Sequence, residues 1–68
     1  MKNVKIDTDY IKLDQLLKLA NIVSGGGEAH ALILSSAVKV NGNVELQKRK
    51  KIVKGDVVQI ADETITVI

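Results

Sequence analysis

At Ser35 and Ser36 the apolar residues change from helical spacing to strand spacing, and that change limits the fold more than any other feature. Before it, Leu13, Leu16, Leu17 and Ala20 recur at i, i+3, i+4 and i+7, and Ala29, Leu32 and Ile33 repeat the opening of that spacing. Each set lines one face of a helix. After it, Val38 and Val40 alternate with Lys39, and Val44 and Leu46 alternate with Glu45, which is the period of a strand with one buried side. Two helices followed by a run of strands give an α+β chain.

The boundaries follow from local chemistry. Val4 and Ile6 around Lys5 predict a short leading strand, closed by the polar break Asp7-Thr8-Asp9. From Leu13 the spacing predicts a helix of about three turns, with Asp14 in the first turn, where a carboxylate suits the helix dipole. Lys12, Gln15 and Lys18 then fall on the wet side. Ser24-Gly25-Gly26-Gly27 stops that helix, and the helical pattern restarts at Glu28. Ser24 is a candidate cap for the second helix, although the capping-box position three residues on is Gly27. Asn41-Gly42 between alternating segments marks a hairpin. Ile52 and Val53 lead into the turn Lys54-Gly55-Asp56, which feeds a strand through Val57, Val58 and Ile60, and Asp62 and Glu63 break the chain before the β-branched close at 64–68. The expected order is a short N-terminal strand, two small helices, then a three- to four-stranded, mainly antiparallel sheet.

Sixty-eight residues support one domain, read here as 1–68. A chain of this size buries only about 60% of the surface its unfolded form exposes. With no cysteine and a single histidine, His30, neither a disulfide nor a zinc site can add stability, so the core rests on aliphatic packing. Tyr10 is the sole aromatic. No segment combines basic residues with an apolar run of signal-peptide length, and none approaches the roughly 18 to 20 apolar residues of a membrane span, so a cytoplasmic protein without membrane contact is expected.

Catalytic chemistry finds little material. Ser24, Ser35 and Ser36 would have to share one histidine, and the carboxylates sit at turns and helix starts, where local structure accounts for them. A phosphate-binding P-loop needs Gly-Lys-Ser/Thr, whereas Gly27 is followed by Glu28. No enzyme activity, cofactor, metal or small-molecule substrate is expected.

Charge carries more information. Residues 1–34 hold four lysines and four acids, which cancel, but between 39 and 54 the cations Lys39, Lys48, Arg49, Lys50, Lys51 and Lys54 meet only Glu45. Several cations on one rigid surface bind a polyanion, because each neutralised phosphate releases counterions. Arg49 can make a planar two-pronged contact, while the lysines act as point charges. The glycines at 25–27 expose backbone N–H groups at a helix start, and His30 could meet a phosphate when protonated. A tight turn and a surface histidine are the simpler readings of those two features. One tyrosine cannot supply the rings with which single-strand readers stack successive bases, so recognition of folded RNA by shape and backbone is favoured.

At this point the chain resembles a known family, the alpha-L RNA-binding domain of ribosomal protein S-four, and most closely its small bacterial stand-alone members. Lys12-Leu13-Asp14 followed by Leu16-Leu17 is similar to the family's opening Arg-Leu-Asp helix. Ser24 through Ile33 resembles its second helix, Val38-Lys39-Val40-Asn41-Gly42 its hairpin, and Lys54-Gly55-Asp56-Val57 its closing turn. The stand-alone members share Leu16-Leu17-Lys18-Leu19, the glycine-rich joint and the basic run. The resemblance implies an alpha-L fold and structured RNA as partner, ribosomal RNA or ribosomal particles in particular. It implies a concave surface with Lys12, Lys18, Ser24, Gly25, Gly26, His30, Lys39 and Asn41 on one side and Lys48, Arg49, Lys50 and Lys51 on the other. The family commonly carries arginine where this chain has Lys12, Gly26 and His30, so the basic run is expected to bear more of the binding. An adaptor or ribosome assembly factor acting mainly through protein contacts is the alternative.

Overall fold

The computed structural model describes residues 2–68; Met1, the first residue of the single-domain span read above, lies outside the described residues. The elements run β1 (Lys2–Val4), β2 (Ile11–Lys12), α1 (Leu13–Leu19), α2 (Gly26–Leu34), β3 (Val38–Val40), β4 (Asn43–Val44), β5 (Lys51–Ile52), β6 (Val57–Ile60) and β7 (Glu63–Val67). Five strands form one sheet in the order β1-β7-β6-β3-β4, in which only the β1–β7 pair is parallel. The α+β order expected from the period change therefore holds. Of the five strands after the helices, four join this sheet, while β5 leaves it to pair with β2 as a separate two-stranded ribbon.

The core is wholly aliphatic. Leu13, Leu16 and Leu17 of α1 and Ala29 and Ile33 of α2 meet Val38, Ile52, Val58, Ile65 and Val67 from the strands, all with essentially no solvent contact. Each fully buried Leu or Ile contributes about 1.5–3 kcal/mol relative to exposure. That packing is what holds α1, since a helix of seven residues does not persist alone in water.

Three boundaries differ from the sequence expectation. α1 runs for two turns rather than three, and it ends before the glycines. Asn21 takes a left-handed φ of 61°, its N–H donates to the Lys18 carbonyl, and the Ile22 N–H donates to the Leu17 carbonyl. Those bonds form a Schellman ending, for which asparagine is the usual substitute for glycine. α2 starts at Gly26 rather than Glu28, and its N-cap is Gly25 rather than Ser24. Ser24 still serves the helix start, because its backbone N–H and its hydroxyl both donate to Oε1 of Glu28, at 2.8 and 2.9 Å. This is a capping-box type of link displaced by one residue. At the hairpin, Asn41 and Gly42 have φ of 51° and 88°, the pair of positive angles that a two-residue turn of this hand requires.

Candidate nucleic-acid interface

The basic run is tied down through its backbone. Gln47 to Lys50 form a turn closed by the Lys50 N–H donating to the Gln47 carbonyl. The carbonyls of Lys50 and Lys48 then accept the N–H groups of Leu13 and Asp14, each at 2.9 Å. The first turn of any helix leaves N–H groups without intrahelical partners. Lys12, the N-cap residue of α1, offers no side-chain cap, so a strap of the basic run fills that role from 34 and 37 residues further along the sequence. The strap's carbonyls face the helix, while Arg49, Lys50 and Lys51 are exposed and Lys48 is half-buried. Glu45, the one acid of the segment, accepts the Gln47 N–H with its carboxylate at 3.1 Å.

The strap leads directly into β5, which pairs antiparallel with β2 in the register Ile11↔Ile52 and Lys12↔Lys51. Ile52 is buried and Ile11 packs against the core, so Lys12 and Lys51 stand directly opposite one another on the outer face. The Lys51 ammonium lies 4.9 Å from the centre of the Tyr10 ring, within the range of a cation–π contact. Like charges placed directly across a strand pair oppose folding. Lys12 and Lys51 thus face one another across the ribbon, and Lys48, Arg49 and Lys50 lie on the strap that leads into it, held by backbone bonds.

The other sequence candidates are distributed differently. Asn41 sits beside Lys50 and Lys51, sharing with them a concavity of about 410 Å3 that the carboxylates of Glu45 and Asp56 also line. Its side chain is engaged within the protein: Oδ1 accepts the Val57 N–H at 2.9 Å and Nδ2 donates to Oδ1 of Asp56 at 3.0 Å. Asp56 in turn accepts the Val53 N–H, so Asn41 braces the Lys54-Gly55-Asp56 turn. Lys39 projects from the outer face of the large sheet, where its register partners are Val44 and Gln59, and it lines a separate hollow with Ala37, Gln59 and Ala61. Lys18 is exposed in the last turn of α1, at the end away from the strap. Ser24, Gly25 and Gly26 form the start of α2, with the Ser24 hydroxyl committed to Glu28, and His30 is half-buried further along that helix. The Ser24 N–H, and after it the Ser24 hydroxyl, hold the Glu28 carboxyl below the ordinary glutamate range.

Two residues have roles that their place in the sequence does not suggest. Lys2 donates from Nζ to the Ala20 carbonyl at 2.7 Å, closing the C-terminal end of α1. Tyr10 is brought against Lys51 by the β2–β5 pairing, and two-residue strands leave no periodicity from which that pairing could be read.

Comparison with known proteins places this arrangement. The S4 domain family model matches residues 4–68. A Bacillus subtilis (strain 168) protein named "Probable ribosome maturation protein RlbA" is 39% identical over 57 residues, covering 84% of this chain and 80% of the relative. YbcJ of Escherichia coli (strain K12) is 39% identical over 59 residues, covering 87% of this chain and 84% of YbcJ. The solution structure of YbcJ, described as revealing an alfaL motif involved in RNA-binding, superposes with a TM-score of 0.75 at 34% identity, over 97% of this chain and 85% of that one. A pseudouridylate synthase crystal structure matches with a TM-score of 0.74 at 27% identity over 82% of this chain, but the match spans only 24% of the synthase. With two small helices, the Asn41-Gly42 hairpin and the Lys54-Gly55-Asp56 turn in the expected order, this chain belongs to the S4 domain family.

Proposed function

We infer that this chain is a non-enzymatic module that binds structured RNA, ribosomal RNA foremost, in the cytoplasm. The observation that carries this reading is the ribbon register that sets Lys12 opposite Lys51 beside the strapped residues Lys48, Arg49 and Lys50. Packing does not need five cations there, and their mutual repulsion weakens the fold; a row of phosphates would relieve it. The names of RlbA and the alfaL motif of YbcJ support the same ligand class. The match to a quarter of the pseudouridylate synthase supports a binding part rather than a catalytic one. No helix among the described residues is long and apolar enough to cross a membrane.

Salt dependence is the direct test. If about five phosphates are neutralised, the logarithm of RNA affinity falls against the logarithm of salt concentration with a slope of about −4. Charge reversal at Arg49 and Lys50 together should flatten that slope. A slope near zero in the wild-type protein, or binding unchanged by the double reversal, overturns the reading.

A further inference from the structure

The core of this protein contains no aromatic residue, and the one aromatic in the sequence lies at the surface. Tyr10 is 40% exposed, immediately before β2. Aromatic rings are the largest apolar groups available to a small core, so a fold short of buried surface would be expected to use its ring inside. The position is well defined, since the Thr8 hydroxyl donates to the Tyr10 carbonyl at 2.8 Å and fixes the turn ahead of the strand.

The surroundings of the ring are specific. Strand alternation puts Tyr10 on the same outward face as Lys12, and Lys51 lies over the ring at 4.9 Å. Tyr10 and Lys12 also wall a concavity of about 740 Å3, together with Asp9 and with Gln15 from the first turn of α1. The hollow is wide open to solvent, as a site for a base that stays joined to its RNA must be. Lys51 is not one of its walls, so one part of the ring meets a cation while another is open to the concavity.

We propose that the hollow beside Tyr10 receives a single unpaired base extruded from an otherwise folded RNA, which stacks on the tyrosine ring while Lys12 and Lys51 hold its phosphates. This rests on the RNA-binding reading above and adds the RNA element recognised. One ring cannot track a single strand, but it suits one bulged nucleotide flanked by duplex, and the strap's cations would engage the duplex backbone on either side. Gln15 carries a donor and an acceptor that can pair with the edge of an adenine, and the Asp9 carboxylate can accept from its exocyclic amine.

Two RNA hairpins of identical stem sequence separate the possibilities, one fully paired and one carrying a single bulged 8-vinyladenine, a fluorescent adenine analogue that keeps the exocyclic amine and whose emission reports stacking. The wild-type protein should prefer the bulged hairpin and change the analogue's emission. Tyr10→Phe should keep both properties. Tyr10→Leu, checked for native circular dichroism, should lose roughly 5- to 150-fold of affinity for the bulged hairpin, which is the range for removing one base–aromatic stack, and should bind it no better than the paired one. If Tyr10→Leu retains the preference, or weakens both hairpins equally, the stacking site is refuted while RNA binding stands. If the wild-type protein binds neither hairpin in a salt-dependent way, the RNA reading itself fails and the site with it.

Discussion

The facing lysines of the ribbon permit a prediction in which stability and binding move in opposite directions. With Cβ atoms about 5 Å apart, ammonium groups splayed to a separation of about 7 Å repel by about 0.5 kcal/mol at low salt and roughly half that at physiological ionic strength. Lys12→Glu turns this repulsion into an attraction of similar size. It also puts a carboxylate at the N-cap of α1, a gain of about 0.5 kcal/mol from the helix dipole. The variant should therefore be more stable by about 1–1.5 kcal/mol at low salt, a rise in melting temperature of roughly 4–10 °C for a domain of this size. Lys51→Glu should gain less, because it gives up the contact with Tyr10. The double variant Lys12→Glu/Lys51→Glu faces two carboxylates across the ribbon and should lose the pairwise gain. A double-mutant cycle then isolates the pair from the dipole and from Tyr10, with a coupling of about 2 kcal/mol at low salt that falls to about 1 kcal/mol at physiological salt. Chemical denaturation followed by circular dichroism measures it, with RNA titrations of the same four proteins alongside. Both single variants should bind RNA more weakly than the wild type. A coupling near zero at low salt, or one that salt does not reduce, would refute the direct opposition of Lys12 and Lys51.

Further expectations concern the turns and one carboxyl group. Asn41→Ala removes the side-chain bonds to Asp56 and Val57 and leaves a left-handed φ of 51° to alanine, so urea denaturation should show a loss of about 2–3 kcal/mol. Ala61, in the β6–β7 turn, holds a φ of 52° that alanine resists; Ala61→Gly should raise the unfolding free energy by about 0.5 kcal/mol, seen as a higher urea midpoint, once glycine's greater unfolded-state entropy is set against the relief. Glu28 should titrate below the ordinary glutamate range in a carboxyl NMR titration, and Ser24→Ala should raise that value only in part, because the Ser24 backbone N–H remains and is the larger cause. With its folded pKa depressed, Glu28 stabilises the protein above the unfolded glutamate value, and this contribution disappears as pH falls through the folded value.

Features encoded within a few residues could be read from sequence, and those made by distant backbone could not. The spacing of Leu13, Leu16 and Leu17 located α1 because the same side chains that define the period are the ones the core buries. Asn41-Gly42 located the hairpin because its backbone angles are demanded locally. The helical spacing runs past the true end of α1 because Asn21, unlike glycine, does not announce a left-handed ending. Its start is capped by the carbonyls of Lys48 and Lys50, and nothing around Lys12 encodes a partner so far along the chain. The site divides in the same way. Four adjacent cations were visible as a run, whereas their junction with Lys12 depends on the β2–β5 register. Lys39 seemed close to the run in sequence, yet strand alternation sends it to the outer face of the sheet opposite the buried Val38 and Val40. Asn41 was grouped with the RNA contacts on its place in the hairpin, and its amide proves to be bonded to the neighbouring turn.

The central claim is that the ribbon and its strap are the RNA-binding face. Mapping amide chemical-shift changes on isotope-labelled protein during titration with a structured ribosomal RNA fragment tests it most directly. Lys12, Lys51 and the strap residues 48–50 should respond first and most, with Asn41 following and Lys39 and Gln59 on the far face of the sheet unmoved. Changes centred on Lys39 and Gln59, or no saturable change anywhere, would contradict it.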